Sequence, residues 1–418
     1  MKQHRPLISL AAATVCSVGG TRLSVIAIPW LVLTTTGSPV LTGVVGMAEL
    51  LPYVMAKALG GPLIDRVGAR RIAIWSDCLS TIALLIVPML FWLGLLSIWL
   101  LIPAVALIGV LRAPADAAKQ ALVPTVAALG AVPLERVTGV LGASDRLAGT
   151  IGAAGAGALI VLVGPAPALL GNALAFVLSA VLVAGGIPRV DRSTQPGERG
   201  SYRADFVAGW HGLRSDPVLV GLTVMIAVTN LFDQAYAIVL LPVWVLEAGL
   251  DASFVGIFLA TFSAGAIVGA AIAAAVAERV PRLAIYVGGF FFAGPMPMAI
   301  LALGAPVPAI AGVLLFSGFA AGFLNPIIGA ILFERIAPAL VGRVIALFGA
   351  LAWVLMPFGG LYAGVLADGL GVHAALWVTG ALYLIAALSP VLIPSFRAMN
   401  KPRRAAPESE RLSTAQSP

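Results

Sequence analysis

The sequence predicts an all-α membrane protein of about twelve transmembrane helices, and three observations carry that reading. Of its 418 residues 60% are hydrophobic and only 10% are charged. A soluble fold of this length could not hide so much apolar surface, so lipid must be the solvent. The apolar residues fall in runs of about twenty, the length that crosses a hydrocarbon core. These runs are apolar all round and lack the period-two alternation of a membrane barrel.

Taken in order, helices are expected near 8–34, 40–64, 72–94, 97–118, 138–163, 166–188, 217–246, 252–277, 283–303, 306–333, 344–366 and 372–396. The first has a basic start, Lys2 and Arg5, as a signal peptide does. It runs on too far and carries no convincing small-residue cleavage site, which predicts an uncleaved anchor. The net charge of +7 invites a nucleic-acid reading, but its placement argues for topology instead. Lys119 and Arg66, Arg70, Arg71, Arg136, Arg189, Arg192, Arg214, Arg279, Arg282, Arg335 and Arg343 fall in alternate loops or at their edges. The intervening loops (35–39, 95–96, 164–165, 247–251, 304–305, 367–371) hold no Lys or Arg, only Glu247, Asp251 and Asp368. Basic loops stay in the cytoplasm, so both termini are expected there, in the cell membrane. The partners implied are the lipid bilayer, including its anionic headgroups, and no nucleic acid.

Cys16 and Cys78 lie within helices at different depths, so no disulfide is expected. His4, His211 and His373 are scattered. No zinc-protease pair, nucleophile elbow or phosphate loop is present. The chain therefore does not read as an enzyme, and no cofactor or metal is expected. With no ATP motif, any transport must draw on a gradient.

An internal repeat organises the chain. Pro29 and Pro242, Asp65-Arg66 and Glu278-Arg279, Pro114 and Pro326, and Pro124 and Pro338 each recur at an offset of roughly 213 residues, the mark of a duplicated unit. Six helices per unit make the two copies parallel. The expected division is a six-helix bundle over 1–188, a cytoplasmic linker over 189–216 containing Pro196-Gly197, a second bundle over 217–396, and a polar, disordered tail over 397–418.

Residues Gly60 to Arg71 form a glycine-rich basic turn between two apolar runs. Gly61, Leu63, Asp65, Arg66, Gly68, Arg70 and Arg71 resemble the signature loop of the major facilitator superfamily of transporters, with Ala69 where a basic residue is usual. The string Ile28-Pro29-Trp30, Thr36-Gly37-Ser38-Pro39, Ala113-Pro114, Ala121-Leu122-Val123-Pro124 and Gly342-Arg343-Val344 resembles the branch holding macrolide-efflux proteins and the enterobactin exporter. The resemblance implies a monomeric, proton-coupled antiporter that exports hydrophobic small molecules or drugs by alternating access. Two other readings fit the same helices: an uptake or lipid- or siderophore-moving carrier, and a membrane sensor or scaffold that transports nothing. An acid that titrates when substrate binds separates a transporter from a scaffold.

Ionisable groups inside a bilayer are functional candidates by default. Arg22, Glu49 and Asp233 fall inside helices 1, 2 and 7. Glu49 and Asp233 are the expected proton-coupling acids, with Arg22, the near-equivalent of Asp233 in the repeat, as their electrostatic partner. The plainer alternative is an Arg22–Glu49 ion pair that joins helix 1 to helix 2. Arg112 and Asp116 stand one turn apart on helix 4. The resemblance implies that Asp116 meets Arg70; a headgroup contact is the bland alternative. It also implies that Asp65 faces the N-terminus of helix 11 near Arg343 and latches one side shut, a favourable place for a carboxylate. Lys57 is expected to snorkel. Asp145 and Arg146 point about 100° apart, and their roles stay open. In helix 5, Gly152 and Gly157 fit the antiporter pattern of the resemblance, although small residues that let helices approach explain them as well. Candidate substrate-cavity residues are Arg22, Trp30, Asn230, Phe232, Trp244, Phe262 and Trp353, a set suited to lipophilic drugs, cations included. The plainer expectation for most of these rings is a lipid-facing or interfacial place.

Overall fold

A computed structural model describes residues 4–189, 202–276, 281–337 and 340–400. Twelve helices are long and apolar enough to cross a membrane: span 1 Arg5–Thr36, span 2 Pro39–Leu59, span 3 Ala69–Trp92, span 4 Ile98–Gly130, span 5 Arg136–Val163, span 6 Pro165–Gly186, span 7 Pro217–Glu247, span 8 Ala252–Val276, span 9 Arg282–Ala302, span 10 Val307–Arg335, span 11 Val341–Leu370 and span 12 Val372–Leu392. No strand occurs among the described residues.

Local chemistry sets the ends of these helices. The Ser38 hydroxyl accepts the Leu41 amide at 3.2 Å to start span 2. The Asp216 carboxylate accepts the Val218 amide at 2.9 Å to start span 7, satisfying a donor that the helix cannot. Two shorter helices join the spans. Gly61–Val67 stands where a tight turn was expected, and Tyr202–Arg214 leads into span 7. Gly68 ends the first of these at φ 100°, a conformation that glycine adopts without strain.

Proline separates the two ends of the chain. Pro29, Pro52, Pro88, Pro103 and Pro114 sit inside unbroken helices, and among the first six spans only span 4 is interrupted, at Leu122 ahead of Pro124. Four of the last six behave differently, while Pro390 sits inside the unbroken span 12. Span 7 widens into a π turn over Tyr236–Leu240 before Pro242. Span 9 breaks at Gly294 before Pro295, span 10 at Phe323 before Pro326, and span 11 at Val354 and Leu355 before Pro357. A proline ring displaces the carbonyl four residues earlier, which accounts for each position. Thus Pro29 and Pro242, paired in the sequence, differ in local geometry, as do Pro114 and Pro326. Glu278-Arg279 and Pro338 lie outside the described residues, as does most of the expected tail.

Span 1 packs against spans 5 and 6, span 2 against span 4, span 8 against span 10, and span 7 against span 11. The first six spans meet the last six along two seams, span 2 with span 11 and span 5 with span 8. Both seams are main chain against main chain. A methyl added at Gly43 would lie 2.1 Å from the Gly360 carbonyl oxygen, and one at Gly256 would lie 2.4 Å from the Ala153 oxygen. These contacts fall at the end of the bundle away from the Gly60–Gly68 loop. Gly43→Ala is expected to lower the thermal midpoint in detergent, because overpacking a tight contact costs about 1–3 kcal/mol. Gly61→Ala, with nothing within 4 Å of the new methyl, should not. Equal midpoints for the two variants would refute the seam as a close-packed joint.

Candidate functional site

Asp233 stands in a cavity of about 370 Å³ among spans 7, 8, 9, 10 and 12. Asn230 and Tyr236 share its wall on span 7, Phe258 and Phe262 on span 8, and Asn325 on span 10. The helix interruptions build it: Gly294, Leu324, Asn325 and Tyr236 all line the space and all lie at or beside a break. Gly294 has a second task. A methyl there would fall 2.2 Å from the Tyr383 ring, so only glycine lets that ring reach inward. The Tyr383 hydroxyl is set beside the Asp233 carboxylate. The side chain of Asp233 is exposed to this interior space, and the lining holds no Lys, Arg or His.

Glu49 is engaged elsewhere. Arg112 donates to its carboxylate at 2.8 Å, and both side chains are largely buried. The expected Arg22–Glu49 pair is therefore corrected to Arg112–Glu49. Arg22 lies against span 5, with its guanidinium 3.6 Å from a methyl built at Gly149, and the carboxylate that acts on it most is Asp145. It partners neither of the two expected acids. Asp116 is 3.9 Å from Arg112 and accepts a hydrogen bond from the Tyr53 hydroxyl at 3.0 Å. It does not meet Arg70. That guanidinium caps the end of span 6, donating to the carbonyls of Ile187 at 2.6 Å and Ala184 at 2.5 Å, groups that a helix end leaves unpaired. Lys57 does not snorkel; its ammonium lies 4.3 Å from the centre of the Trp353 ring, a cation–π contact between span 2 and span 11.

A buried charge cluster was missed in the sequence. Lys119 on span 4 donates to Asp77 on span 3 at 3.0 Å, and Ser179 on span 6 donates to the other Asp77 oxygen at 2.6 Å. Asp77 and Ser179 are fully buried. Lys119 had been read as a loop cation, whereas span 4 carries it inside.

With this geometry in place, the chain can be set beside known proteins. A family described as transmembrane secretion effector matches residues 4–414. The chain belongs to that family, within the major facilitator superfamily. It is 29% identical over 412 residues to the multidrug efflux pump Tap of Mycobacterium tuberculosis, covering 94% of this chain and 95% of that protein. It is 27% identical over 402 residues to Tap of Mycolicibacterium fortuitum, covering 94% and 97%. Among solved structures, a bacterial homologue of the human lysosomal transporter Spinster superposes with a TM-score of 0.73 at 14% identity, covering 97% of this chain and 99% of the other. The nucleoside transporter NupG does so with 0.69 at 13%, covering 96% and 100%. At these identities the structures share the fold. The protein is thus a multi-pass transporter of the major facilitator type and not an enzyme.

In this major facilitator protein the expected cavity residues part company. Asn230, Asp233 and Phe262 line the cavity. Phe232 lies behind it, its ring 5.7 Å from Tyr362 and 6.0 Å from Tyr383. Trp244 packs on Phe258, Trp353 sits under Lys57, and Trp30 is buried in span 1. The rings expected at lipid are not there: Trp30, Phe232 and Trp244 are at most 8% exposed. Gly61, Asp65 and Arg66 lie on the short helix Gly61–Val67, and Arg71 opens span 3 beside Arg70. Tyr236, Phe258, Asn325 and Tyr383 were not anticipated. The proline pattern was the available signal, since the breaks it forces in spans 7, 9 and 10 open onto the cavity.

Proposed function

We propose that the protein is a proton-coupled antiporter that exports hydrophobic small molecules, drugs among them, by alternating access. The observation that carries this reading is Asp233, among the described residues the single charged one lining the interior cavity, with no basic neighbour in that lining. A carboxylate so placed can be protonated from one side of the membrane and released to the other as the spans rearrange. The relatives named multidrug efflux pumps support the direction and the substrate class. Glu49 is the second coupling candidate and takes that role only when its bond to Arg112 opens. Asp65 serves as the latch toward the start of span 11, on the side of the Gly60–Gly68 loop, as the family's signature loop implies. The glycine seams close the other side. The functional unit is a monomer of two six-span bundles, 1–188 and 217–396, joined by 189–216 and followed by 397–418.

The deciding experiment is uptake of a fluorescent drug into inverted vesicles under an imposed proton gradient. Gradient-dependent accumulation is expected, and its absence overturns antiport. Orientation has its own check. With Cys16 and Cys78 replaced by serine, single cysteines at Ser97 and Ala248 should react with an impermeant reagent in intact cells, and ones at Arg66 and Ser215 should not. Labelling at Ser215 would place the termini outside.

A further inference from the structure

We propose that the groove between the starts of spans 1 and 5 holds one anionic glycerophospholipid, drawn from the leaflet at which these two helices begin, with its phosphate between His4 and Arg136. The site stands apart from the cavity around Asp233, and its occupant is a structural partner and not cargo.

Geometry identifies the occupant. The groove encloses about 520 Å³, and its lining comes from spans 1 and 5, with none of the described residues of the last six spans. It therefore lies outside the passage between the two halves. Its cations, His4 and Arg136, stand at one end, and the lining then follows span 1 as far as Val15 and span 5 as far as Ser144. The helical stretch from His4 to Val15 covers about 16 Å. That is half of a hydrocarbon core of roughly 30 Å, the depth of one leaflet. Ile8, Val15 and Val140 are exposed along this wall. An acyl chain covers such side chains, whereas a free phosphate would meet the cations and leave the wall bare.

Charge identifies the head. No acid lines the groove among the described residues, and neither His4 nor Arg136 has an ion-pair partner there. The first turn of span 1 contains no acid either. Both cations thus stand at the positive ends of helix dipoles, an arrangement that an anion relieves. Arg5 is directed elsewhere, donating to the Gly185 carbonyl at 3.0 Å. Basic pockets between membrane helices are where anionic headgroups settle. A lipid held here bridges span 1 to span 5.

The test is native mass spectrometry of the full-length protein released from detergent, with dioleoyl phosphatidylglycerol and dioleoyl phosphatidylcholine supplied at equal concentration. Wild type should retain one phosphatidylglycerol with about tenfold preference over phosphatidylcholine. His4→Gln with Arg136→Gln should lose that preference. His211→Gln with Arg214→Gln, the same residue types exposed on the helix Tyr202–Arg214, should keep it. Ala12→Trp leaves both cations in place and fills the groove that Ala12 lines, so it should lower phosphatidylglycerol retention by about fivefold or more. Inorganic phosphate should not displace the lipid. Absence of preference in wild type, or equal losses in the two double variants, overturns the site in favour of general surface charge. Full retention by Ala12→Trp, or displacement by inorganic phosphate, overturns the lipid as occupant. If the His4 and Arg136 double variant does not elute as a monodisperse peak, Arg136→Gln alone replaces it. That variant should cut the preference by about fivefold, and an unchanged preference overturns the site. None of these readouts involves transport, so export and this site stand or fall separately.

Discussion

Asp233→Asn is expected to abolish proton-driven accumulation of substrate in inverted vesicles, bringing the inside-to-outside ratio to one, while downhill exchange of substrate continues. Exchange needs only the cavity and the movement of the spans; uphill transport also needs a group whose protonation differs between the two faces. The amide keeps the size of the carboxylate and can still accept from the neighbouring Tyr383 hydroxyl, so expression should hold. Glu49→Gln should behave differently. It removes the strongest partner of Arg112, whose remaining carboxylate, Asp116, is 3.9 Å away. An uncompensated buried charge costs about 3–5 kcal/mol, so the expected loss is in yield and thermal stability. Normal accumulation by Asp233→Asn would remove it as the coupling site and move attention to Glu49, Asp116 and Asp145.

The second large effect belongs to the buried cluster of Asp77, Lys119 and Ser179. Lys119→Met leaves the fully buried Asp77 with only the Ser179 hydroxyl. The cost should again be about 3–5 kcal/mol, read as a fall in thermal midpoint and yield. The double variant Asp77→Leu with Lys119→Met should recover most of that loss, because a well-packed apolar pair replaces an ion pair at little cost. A single variant as stable as wild type would show that the cluster does not hold spans 3, 4 and 6 together.

The spans were legible because hydropathy is written along the chain, residue by residue. The pairings were not, because they depend on how each helix is turned and how deep it sits. Arg22 and Glu49 looked like partners on neighbouring spans. Glu49 instead faces span 4, which approaches so closely that a methyl at Gly109 would lie 2.1 Å from the Glu49 carbonyl oxygen. Gly109 stands one turn before Arg112, so a glycine next to a charge was the missed sign. Lys119 was misread because helix 4 was ended at residue 118, while span 4 continues to Gly130. Asp233, Asn230 and Phe262 were legible as cavity residues because each is polar or aromatic on an interrupted or facing span. Tyr383, brought in from span 12 through the gap at Gly294, had no local signal.

The glycine seams have a kinetic consequence. Where span 2 meets span 11 at Gly43 and Gly360, and span 5 meets span 8 at Gly256, the closest approaches are to main-chain atoms, with the Ile238 side chain beside Gly46 and Gly360. Weak main-chain contacts of about 0.5–1 kcal/mol each give way one after another. Separation at that end is expected to proceed by shallow steps, leaving the slow step of a cycle to groups that must rearrange elsewhere, such as the Lys57 ammonium on the face of Trp353.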